Sequence, residues 1–327
     1  MKKIIALLLA VMMACSVTAC GDKDSGLEKV TFVLDWTPNT NHTGIYVADA
    51  LGYFEEAGLE VEIQQPPEDG ASVLVASGKA DFGVGFQDSM AAAISGEDAL
   101  PITAVAAIIQ HNTSGIISNA GNGMDVPKGM EGHSYATWNG AIELATLKEV
   151  VEADGGDFSK VEMIPSTVTD EVSALKTNSV DSIWIFYGWA GVKMELEEMA
   201  TDYFAFKDID PVFDYYTPVL ISNNRFLEEK PETAKAFLAA VSKGYEYTIE
   251  NPEEAADILC EAAPELDKEL VVASQKYLAA EYKAEASRWG EIDADRWNAF
   301  YQWVNDNKLT ENEVPLDTAF SNDYLPN

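Results

Sequence analysis

The chain has 327 residues, a formal net charge of −34 and 47% hydrophobic residues. This length is enough for two lobes or domains. The negative charge argues against binding to nucleic acid, against docking on anionic lipid through surface charge, and, less strongly, against an anionic ligand.

Residues 1–19 are typical of an export signal. Two lysines precede an apolar run over 4–13, which is too short to remain in a bilayer as a spanning helix. The sequence VTAC, ending at Cys20, resembles the bacterial lipobox, so we expect cleavage before Cys20 and lipidation of its thiol. A polar tether over 20–28 would then hold the mature protein outside the cytoplasm, attached to the membrane through lipid only. The alternative is an ordinary signal peptide with an incidental cysteine.

The next ninety residues alternate between strand and helix patterns, which predicts an α/β lobe. Strands are expected at 30–34, 59–63, 81–86, 102–109 and 114–118, and helices at 45–54, 71–77 and 90–94. We assign 29–118 to the first part of lobe 1. The glycine-rich segment 119–132 is the expected crossover to a second lobe.

The α/β pattern then restarts, and we assign 119–222 to lobe 2. Strands are expected at 133–137, 161–164, 182–186, 203–206 and 217–222, and helices at 141–153, 170–177 and 190–199. Residues 223–327 read as mostly helical, with helices at 231–243, 252–261, 266–279 and 294–304. We expect these helices to complete lobe 1, without chemistry of their own, and their aromatic residues to be core.

A short internal echo suggests that the two lobes are related. Ser-Gly-Lys-Ala-Asp at 77–81 and Thr-Asn-Ser-Val-Asp at 177–181 both precede a predicted strand, with an offset of 100 residues. Each would form the end of a helix, a tight turn at Gly78 or Asn178, and a strand that leads to a cleft. The match is short enough that coincidence is the alternative.

Sequence motifs for enzymes are missing. The three histidines have no helical metal-site spacing, and there is no cysteine pair, phosphate-binding loop, dinucleotide fingerprint or nucleophile elbow. We therefore expect no catalytic residue, no metal and no cofactor. Cys260 is expected to be a buried, inert thiol, because it lies in an apolar helical pattern.

The loop after the first strand is the strongest candidate for ligand recognition. Asp35, Trp36, Asn39 and His42 supply a carboxylate, a flat ring, an amide and an imidazole within eight positions. Open α/β sheets hold their ligands at such strand ends. His42 has an equal alternative, which is to cap the following helix.

Three further strand-end loops are expected to converge on the same cleft. Their candidate contacts are Asp88, Ser89, Trp138, Glu143, Tyr187 and Trp189, with Tyr215 on the hinge side. Aromatic faces stack on a flat heterocycle, and carboxylates or amides read its polar edge. The alternatives are core positions for Trp36 and Trp189 and a solvated helix position for Glu143; Trp184 is expected to be core.

Four segments carry a resemblance to a known family. They read DWTPNTNHTGIYVADALGYFEEAGLEVEI from Asp35, ASGKADFGVGFQDS from Ala76, YATWNGAIELATLKEVVEADGGDFSKVE from Tyr135 and SIWIFYGWAGVKMEL from Ser182. They resemble the substrate-binding proteins of ATP-driven importers for thiamine pyrimidine precursors, a group that recognises formylaminopyrimidine. That group belongs to the superfamily of the yeast-type hydroxymethylpyrimidine phosphate synthases.

The resemblance implies a two-lobed, type II periplasmic-binding-protein fold with the ligand between the lobes and a helical C-terminal extension on the first. It implies ring contacts from Trp36, Asn39, Tyr187 and Trp189, and a Glu143 carboxylate at the amino-pyrimidine edge. The expected protein is a monomer that closes about a hinge and works with an ABC permease and its ATPase.

Other members of the superfamily supply the alternatives. The synthases carry a cysteine cluster before the strand that returns to lobe 1, whereas 214–219 reads DYYTPV here. A riboflavin binder of the same fold is harder to exclude, because flavin is also flat and nitrogen-edged. Nitrate, sulfonate and taurine binders need cationic or amide donors, while these loops offer carboxylates.

Overall fold

The computed structural model describes residues 26–68, 70–166 and 168–327. The predicted export signal and the predicted lipidation at Cys20 lie outside the described residues, as does most of the predicted tether. Within the described ranges, no helix is both long enough and apolar enough to cross a membrane.

The strands form two five-stranded sheets. In chain order they are β1 (Glu28–Val33), β2 (Leu59–Gln64), β3 (Phe82–Gly85), β4 (Ile102–Ala107), β5 (Ser114–Asn119), β6 (Ser134–Thr137), β7 (Glu162–Pro165), β8 (Ser182–Phe186), β9 (Thr201–Ala205) and β10 (Val219–Asn223). The first sheet has the order β2-β1-β3-β10-β4 and the second has the order β7-β6-β8-β5-β9.

The helices surround these sheets and fill the C-terminal third. They are α1 (Thr43–Ala50), α2 (Tyr53–Glu56), α3 (Ala71–Ala76), α4 (Gln87–Ser95), α5 (Ala141–Ala153), α6 (Glu171–Lys176), α7 (Val192–Leu196), α8 (Phe206–Ile209), α9 (Asn224–Glu229), α10 (Pro231–Glu250), α11 (Pro252–Ala262), α12 (Lys268–Glu281) and α13 (Ala294–Asp306). Short 3-10 turns occur at Thr40–His42, Pro127–Met130, Phe158–Lys160 and Pro211–Phe213, and a π-turn occurs at Tyr187–Gly191.

The two sheets have the same topology. Three parallel strands stand at one side of each, and the fourth position is taken by a strand from the other half of the chain, antiparallel to both neighbours. The chain therefore crosses between lobes twice, at 108–113 and at 206–218. In each sheet the parallel strands end on one edge, where α/β proteins bind ligands.

Both predicted lobe boundaries shift. The predicted strand 114–118 was assigned to lobe 1, but β5 pairs with β8 and β9 of the second sheet. The range assigned to lobe 2 extended to 222, with 217–222 returning the chain toward lobe 1, and β10 is already a strand of the first sheet, paired with β3 and β4. The segment 119–132 is a connection within the second lobe, because glycine marks a turn without specifying which sheet the next strand joins.

The predicted echo between the lobes is present in the backbone. Gly78 and Asn178 both adopt a left-handed conformation, with φ of 71° and 52°. The Asp81 carboxylate accepts the Thr31 N–H at 2.9 Å, and the Asp181 carboxylate accepts the Ser134 N–H at 2.8 Å. Asp81 thus links the start of β3 to β1, and Asp181 links the start of β8 to β6. The two neighbouring strands are therefore held in the same relative position in both lobes.

Backbone contact between helices fixes the first strand-end loop. Gly44 at the start of α1 and Gly244 in α10 face each other so closely that a Cβ on Gly244 would overlap the Gly44 carbonyl. The predicted helix at 231–243 continues to Glu250, because this glycine serves close packing and does not end the helix. The crossing anchors the N-terminus of α1, where the candidate loop lies.

The C-terminal helices form the expected core, but they also reach the second lobe. Trp289, Trp297, Phe300 and Tyr301 are completely buried, as predicted. Helix α12, however, contacts the π-turn and α7 of the second lobe. This contact with the second lobe was not predicted, since helical periodicity shows an apolar face and not its partner.

Candidate functional site

The first loop presents Trp36 from a rigid base. The indole of Trp36 is 55% exposed, while His42 beneath the loop is completely buried. The His42 Nδ1 accepts the Asn39 N–H at 3.2 Å, so Nε2 carries the proton and donates it to the Asp35 Oδ1 at 2.6 Å. His42 therefore orients the Asp35 carboxylate and caps the 3-10 turn before α1.

Asn39 is also used within the loop. Its Oδ1 accepts the Asn41 N–H at 2.9 Å, and its Nδ2 donates to the Thr37 carbonyl at 3.0 Å. The side chain is 7% exposed. Two buried tyrosines from the C-terminal helices hold the next carbonyls: Tyr282 donates to Thr40 and Tyr245 donates to Asn41, each at 2.6 Å. These contacts hold the loop in one conformation.

The loop after β3 contributes a buried carboxylate oxygen. Asp88 lies in the first turn of α4, and its Oδ1 has no hydrogen-bond partner among the described residues. Burial raises the pKa of the Asp88 carboxyl, although N–H groups at the helix start oppose this shift. Ser89 is exposed and donates to the Phe86 carbonyl at 3.0 Å. Asp88 therefore offers a buried acceptor oxygen at this strand end.

Tyr215 lies behind Asp88 instead of lining an open cleft. Its ring is 2% exposed and stacks on Phe300, with centroids 4.1 Å apart. Burial raises the pKa of the Tyr215 hydroxyl, and the nearby Asp88 carboxylate raises it further. Tyr215 therefore remains neutral and forms part of the wall that buries the Asp88 carboxyl.

The second lobe presents Trp138 at the end of β6. This indole is 55% exposed, and its ring meets Trp184 edge to face at 5.4 Å. The two rings line a cavity of about 170 Å³ together with Ala136, Ser166, Val168, Glu171 and Ile183. Trp138 is thus held from one side and leaves a face open.

Glu143 is buried in the same loop, and its hydrogen bonds point into the protein. It is 2% exposed. Its carboxylate accepts the Tyr135 hydroxyl at 2.8 Å and the backbone N–H groups of Trp138 and Gly140 at 3.2 and 2.9 Å. Glu143 therefore closes the N-terminus of α5 and fixes the backbone that carries Trp138.

The loop after β8 is a π-turn in place of the predicted helix start. The Tyr187 ring lies between Tyr203 at 4.7 Å and Tyr277 of α12 at 5.5 Å, and its hydroxyl donates to Glu195 at 2.5 Å. The half-buried Trp189 packs into an apolar cluster on α11 and α12. Trp189 of the second lobe is therefore packed on the C-terminal helices, and its half-buried ring keeps an exposed part.

A charged cluster beside the two crossovers was not predicted. The His111 Nδ1 lies 2.7 Å from the Asp214 Oδ2, and its Nε2 lies 2.8 Å from the Glu285 Oε2. Arg296 donates to Asp214 at 3.1 Å. Adjoining cavities of about 600 and 780 Å³ share His111, Asp214 and Arg296. These residues are far apart in sequence, so no local pattern could have revealed the cluster.

Tyr277 and Trp184 were also missed as neighbours of the site. Tyr277 lies on a helix that was assigned to lobe 1 alone, and Trp184 lies inside a strand, where an aromatic residue normally indicates core. Within the described ranges there is no group of three His, Cys, Asp or Glu residues that could hold a metal ion. The groups that the strand-end loops present are indole faces and a few carboxylates.

Comparisons with known proteins agree on the family. The NMT1/THI5 like family model matches residues 39–255. The chain is 32% identical over 330 residues to a formylaminopyrimidine-binding protein of Halalkalibacterium halodurans, covering 98% of both chains. It is 27% identical over 307 residues to a 4-amino-5-hydroxymethyl-2-methylpyrimidine phosphate synthase of Legionella pneumophila, covering 91% of this chain and 92% of the relative.

The fold agrees with a solved binding protein. The periplasmic sulfonate-binding protein SsuA of Methylobacillus flagellatus superimposes with a TM-score of 0.69 at 14% identity, covering 91% of this chain and 93% of that one. At this identity the likeness concerns the fold, which is the two-lobed type II fold that the resemblance implied. With a family model matched over more than half of its length, the chain belongs to the NMT1/THI5-like family.

Proposed function

We propose that this chain is the solute-binding protein of an ABC importer and that it captures formylaminopyrimidine, or a closely related aminopyrimidine, between its lobes. The observation that carries the proposal is the 32% identity to a formylaminopyrimidine-binding protein along 98% of both chains. The protein would act as a monomer, without a cofactor, and deliver its ligand to a permease driven by an ATPase.

The two exposed indoles support an aromatic ligand. Trp36 and Trp138 follow β1 and β6, which are the equivalent strands of the two sheets. Each indole is 55% exposed, although neither is needed to cover a core. Because the ligand edges of the two lobes face each other in this fold, we propose that one ring from each lobe contacts the pyrimidine, with Tyr187 beside them.

Carboxyl groups would read the polar edge of the ring. The Asp88 Oδ1, which lacks a partner among the described residues, would accept a hydrogen bond from an amino group of the ligand. Asp35 and Ser89 are proposed as further contacts. Asn39, His42 and Glu143 would act indirectly, because their hydrogen bonds hold the loops that present these groups.

The ligand is tested by calorimetric titration of the purified mature chain. Formylaminopyrimidine, hydroxymethylpyrimidine, thiamine and riboflavin are titrated separately and in competition. We expect formylaminopyrimidine to bind most tightly, with Kd of about 1 μM or lower, because about 8 kcal/mol is within reach of two ring contacts and a few satisfied polar edges. Binding of riboflavin but of neither pyrimidine would contradict the proposal.

A synthase is the second candidate function, and the Legionella relative favours it. The chain has no cysteine at 214–219, where the resemblance places the synthase cluster. Incubation with pyridoxal phosphate, followed by mass spectrometry, separates the two functions. A binding protein returns its ligand unchanged, whereas a phosphorylated pyrimidine product would assign the chain to the synthases.

We propose that the mature chain is anchored outside the cytoplasm through lipidated Cys20. Replacement of Cys20 by serine is expected to move almost all of the protein from the membrane fraction to the medium or periplasm, since no other anchor is proposed. Cys260→Ser is the matched control and should remain with the membrane. Fractionation with immunodetection measures both, and a membrane-bound Cys20→Ser protein would refute lipid anchoring at this residue.

A further inference from the structure

We infer that Ser274 of helix α12 is a positioning residue that locks the π-turn of the second lobe onto the ligand loop of the first, and thereby sets ligand affinity without a proposed contact to the ligand. The inference rests on the proposed function, in which ligand is captured by closure of the lobes. It gives the C-terminal helices a role that their sequence pattern did not show.

Ser274 links the two lobes by accepting one hydrogen bond and donating another. The Ser274 hydroxyl is completely buried and donates to the Gly188 carbonyl of the second lobe. Because the single Ser274 hydroxyl proton is donated to Gly188, the Ser274 Oγ accepts the hydrogen bond from the Thr40 hydroxyl at 2.6 Å. Tyr282 in turn donates to the Thr40 carbonyl at 2.6 Å. Thr40 belongs to the 3-10 turn of the loop that carries Trp36, so a buried chain connects the two ligand loops.

The fit at Gly188 is close, and a side chain at this position would force its neighbours to move. A Cβ at this position would lie 2.8 Å from the Leu278 Cδ2 and 3.3 Å from the Tyr277 Cδ1, both on α12. Leu278 is itself 2% exposed and has little room to move. The absence of a side chain at residue 188 therefore lets the π-turn pack closely on α12 beside Ser274.

Apolar contacts flank this hydrogen bond on both sides. Trp189 packs against the apolar cluster of Ala256, Leu259 and Val271, and Tyr46 of α1 packs against the same cluster. On the other side, Tyr187 meets Tyr277 of α12 at 5.5 Å between ring centroids. Three consecutive residues of the second lobe thus dock on helices of the first, and all three contacts would be lost together if the lobes separated.

Such docking couples to ligand binding. Opening exposes the Ser274 and Gly188 polar groups to water, and closing pairs them in a buried site, so the contact favours the closed state. A ligand that binds the closed state therefore binds more tightly, because the contact raises the population of that state. Removing the Ser274 hydroxyl leaves the Gly188 carbonyl buried without its donor, and we expect ligand binding to weaken about fivefold to thirtyfold.

The test compares Ser274→Ala with Thr248→Val in the mature chain. Thr248 is a completely buried hydroxyl on α10 that donates to the Gly244 carbonyl within the same helix. Each variant removes one buried hydroxyl, but only Ser274→Ala breaks a contact between lobes. In titrations with formylaminopyrimidine, we expect a lower affinity for Ser274→Ala and an unchanged affinity for Thr248→Val. The hydrogen-exchange rate of the backbone amides at 187–191 should rise in Ser274→Ala alone, with or without ligand.

Gly188→Ala provides a second, independent variant. We expect Gly188→Ala to weaken binding more than Ser274→Ala does. Adding Leu278→Ala to Gly188→Ala should restore part of the affinity, because the smaller side chain leaves room for the new methyl group. Equal loss of affinity in Thr248→Val, or unchanged affinity and exchange in Ser274→Ala, would overturn the inference. If the unmodified chain does not bind formylaminopyrimidine, the proposed function fails, while the exchange of 187–191 still decides whether Ser274 holds the turn.

Discussion

Replacing Trp138 by alanine is expected to weaken formylaminopyrimidine binding by roughly thirty- to a hundredfold while the melting temperature falls by only a few degrees. A stacked ring contributes about 0.5–1.5 kcal/mol beyond its buried area, and the covered indole face adds about 1–2 kcal/mol. The fold depends little on this ring, because it is 55% exposed and its recorded ring contact is the edge of Trp184. Calorimetry and thermal unfolding measure the two effects.

Leu51→Ala is the control for loss of an exposed apolar side chain away from the strand ends. Leu51 is 37% exposed and follows α1 on the surface of the first lobe. Its replacement should change neither affinity nor closure. If Trp138→Ala bound as tightly as the unmodified chain, or lost stability and affinity in proportion, the ring would belong to the packing of the second lobe and not to the ligand site.

The loops of the candidate site could be predicted from the sequence, because the residue pattern shows where the strands end. Alternation ends at Leu34 and at Thr137, and in both places an aromatic residue follows where a turn begins. The echo at 77–81 and 177–181 has the same origin, since a left-handed turn residue and a strand-tying aspartate are local requirements that leave a local signature. The positions of both indoles at strand ends and the matching turns of the two lobes follow from such local rules.

What the sequence did not reveal depends on distant pairing. The apolar run in β5 has the same appearance whichever sheet it joins, and its placement is decided by β8 and β9, more than sixty residues further on. Trp189 looked like a ligand contact because it follows a strand, but helices α11 and α12 cover it. Glu143 and His42 looked like ligand groups because polarity in sequence does not show where a hydrogen bond points.

The charged cluster at the crossovers predicts a pH-dependent stability. Burial acts to lower the pKa of the His111 imidazole, but the hydrogen bonds to Glu285 and Asp214 outweigh it, and the folded-state pKa is raised. Because both ring nitrogens face carboxylates, the folded state favours the doubly protonated ring. Arg296 on α13, Lys207 on α8 and Glu281 on α12 are the other charged groups that act on this cluster.

The sign of the effect follows from this shift. A raised folded-state pKa gives stability that is fully present below the unfolded histidine pKa of about 6.5 and is lost as the pH rises through the folded value. At the acid end, the hydrogen bond to His111 lowers the pKa of the Glu285 carboxyl, so that contribution disappears as the pH falls through the folded value. The bridge is therefore strongest in mildly acidic solution.

His111→Gln is expected to cost about 1–2 kcal/mol of unfolding free energy near pH 6 and progressively less toward pH 9, as the unmodified imidazole loses its proton. Denaturant unfolding across this range measures the difference. His133→Gln is the matched control, because the His133 Nδ1 has one carboxylate near it, Asp181, at 3.6 Å. Its replacement is expected to cost less, because this contact is longer than either carboxylate contact of His111. A His111→Gln cost that stays constant, or grows as the pH rises, would show that His111 acts through packing, and that the two crossovers are not joined by a charged bridge.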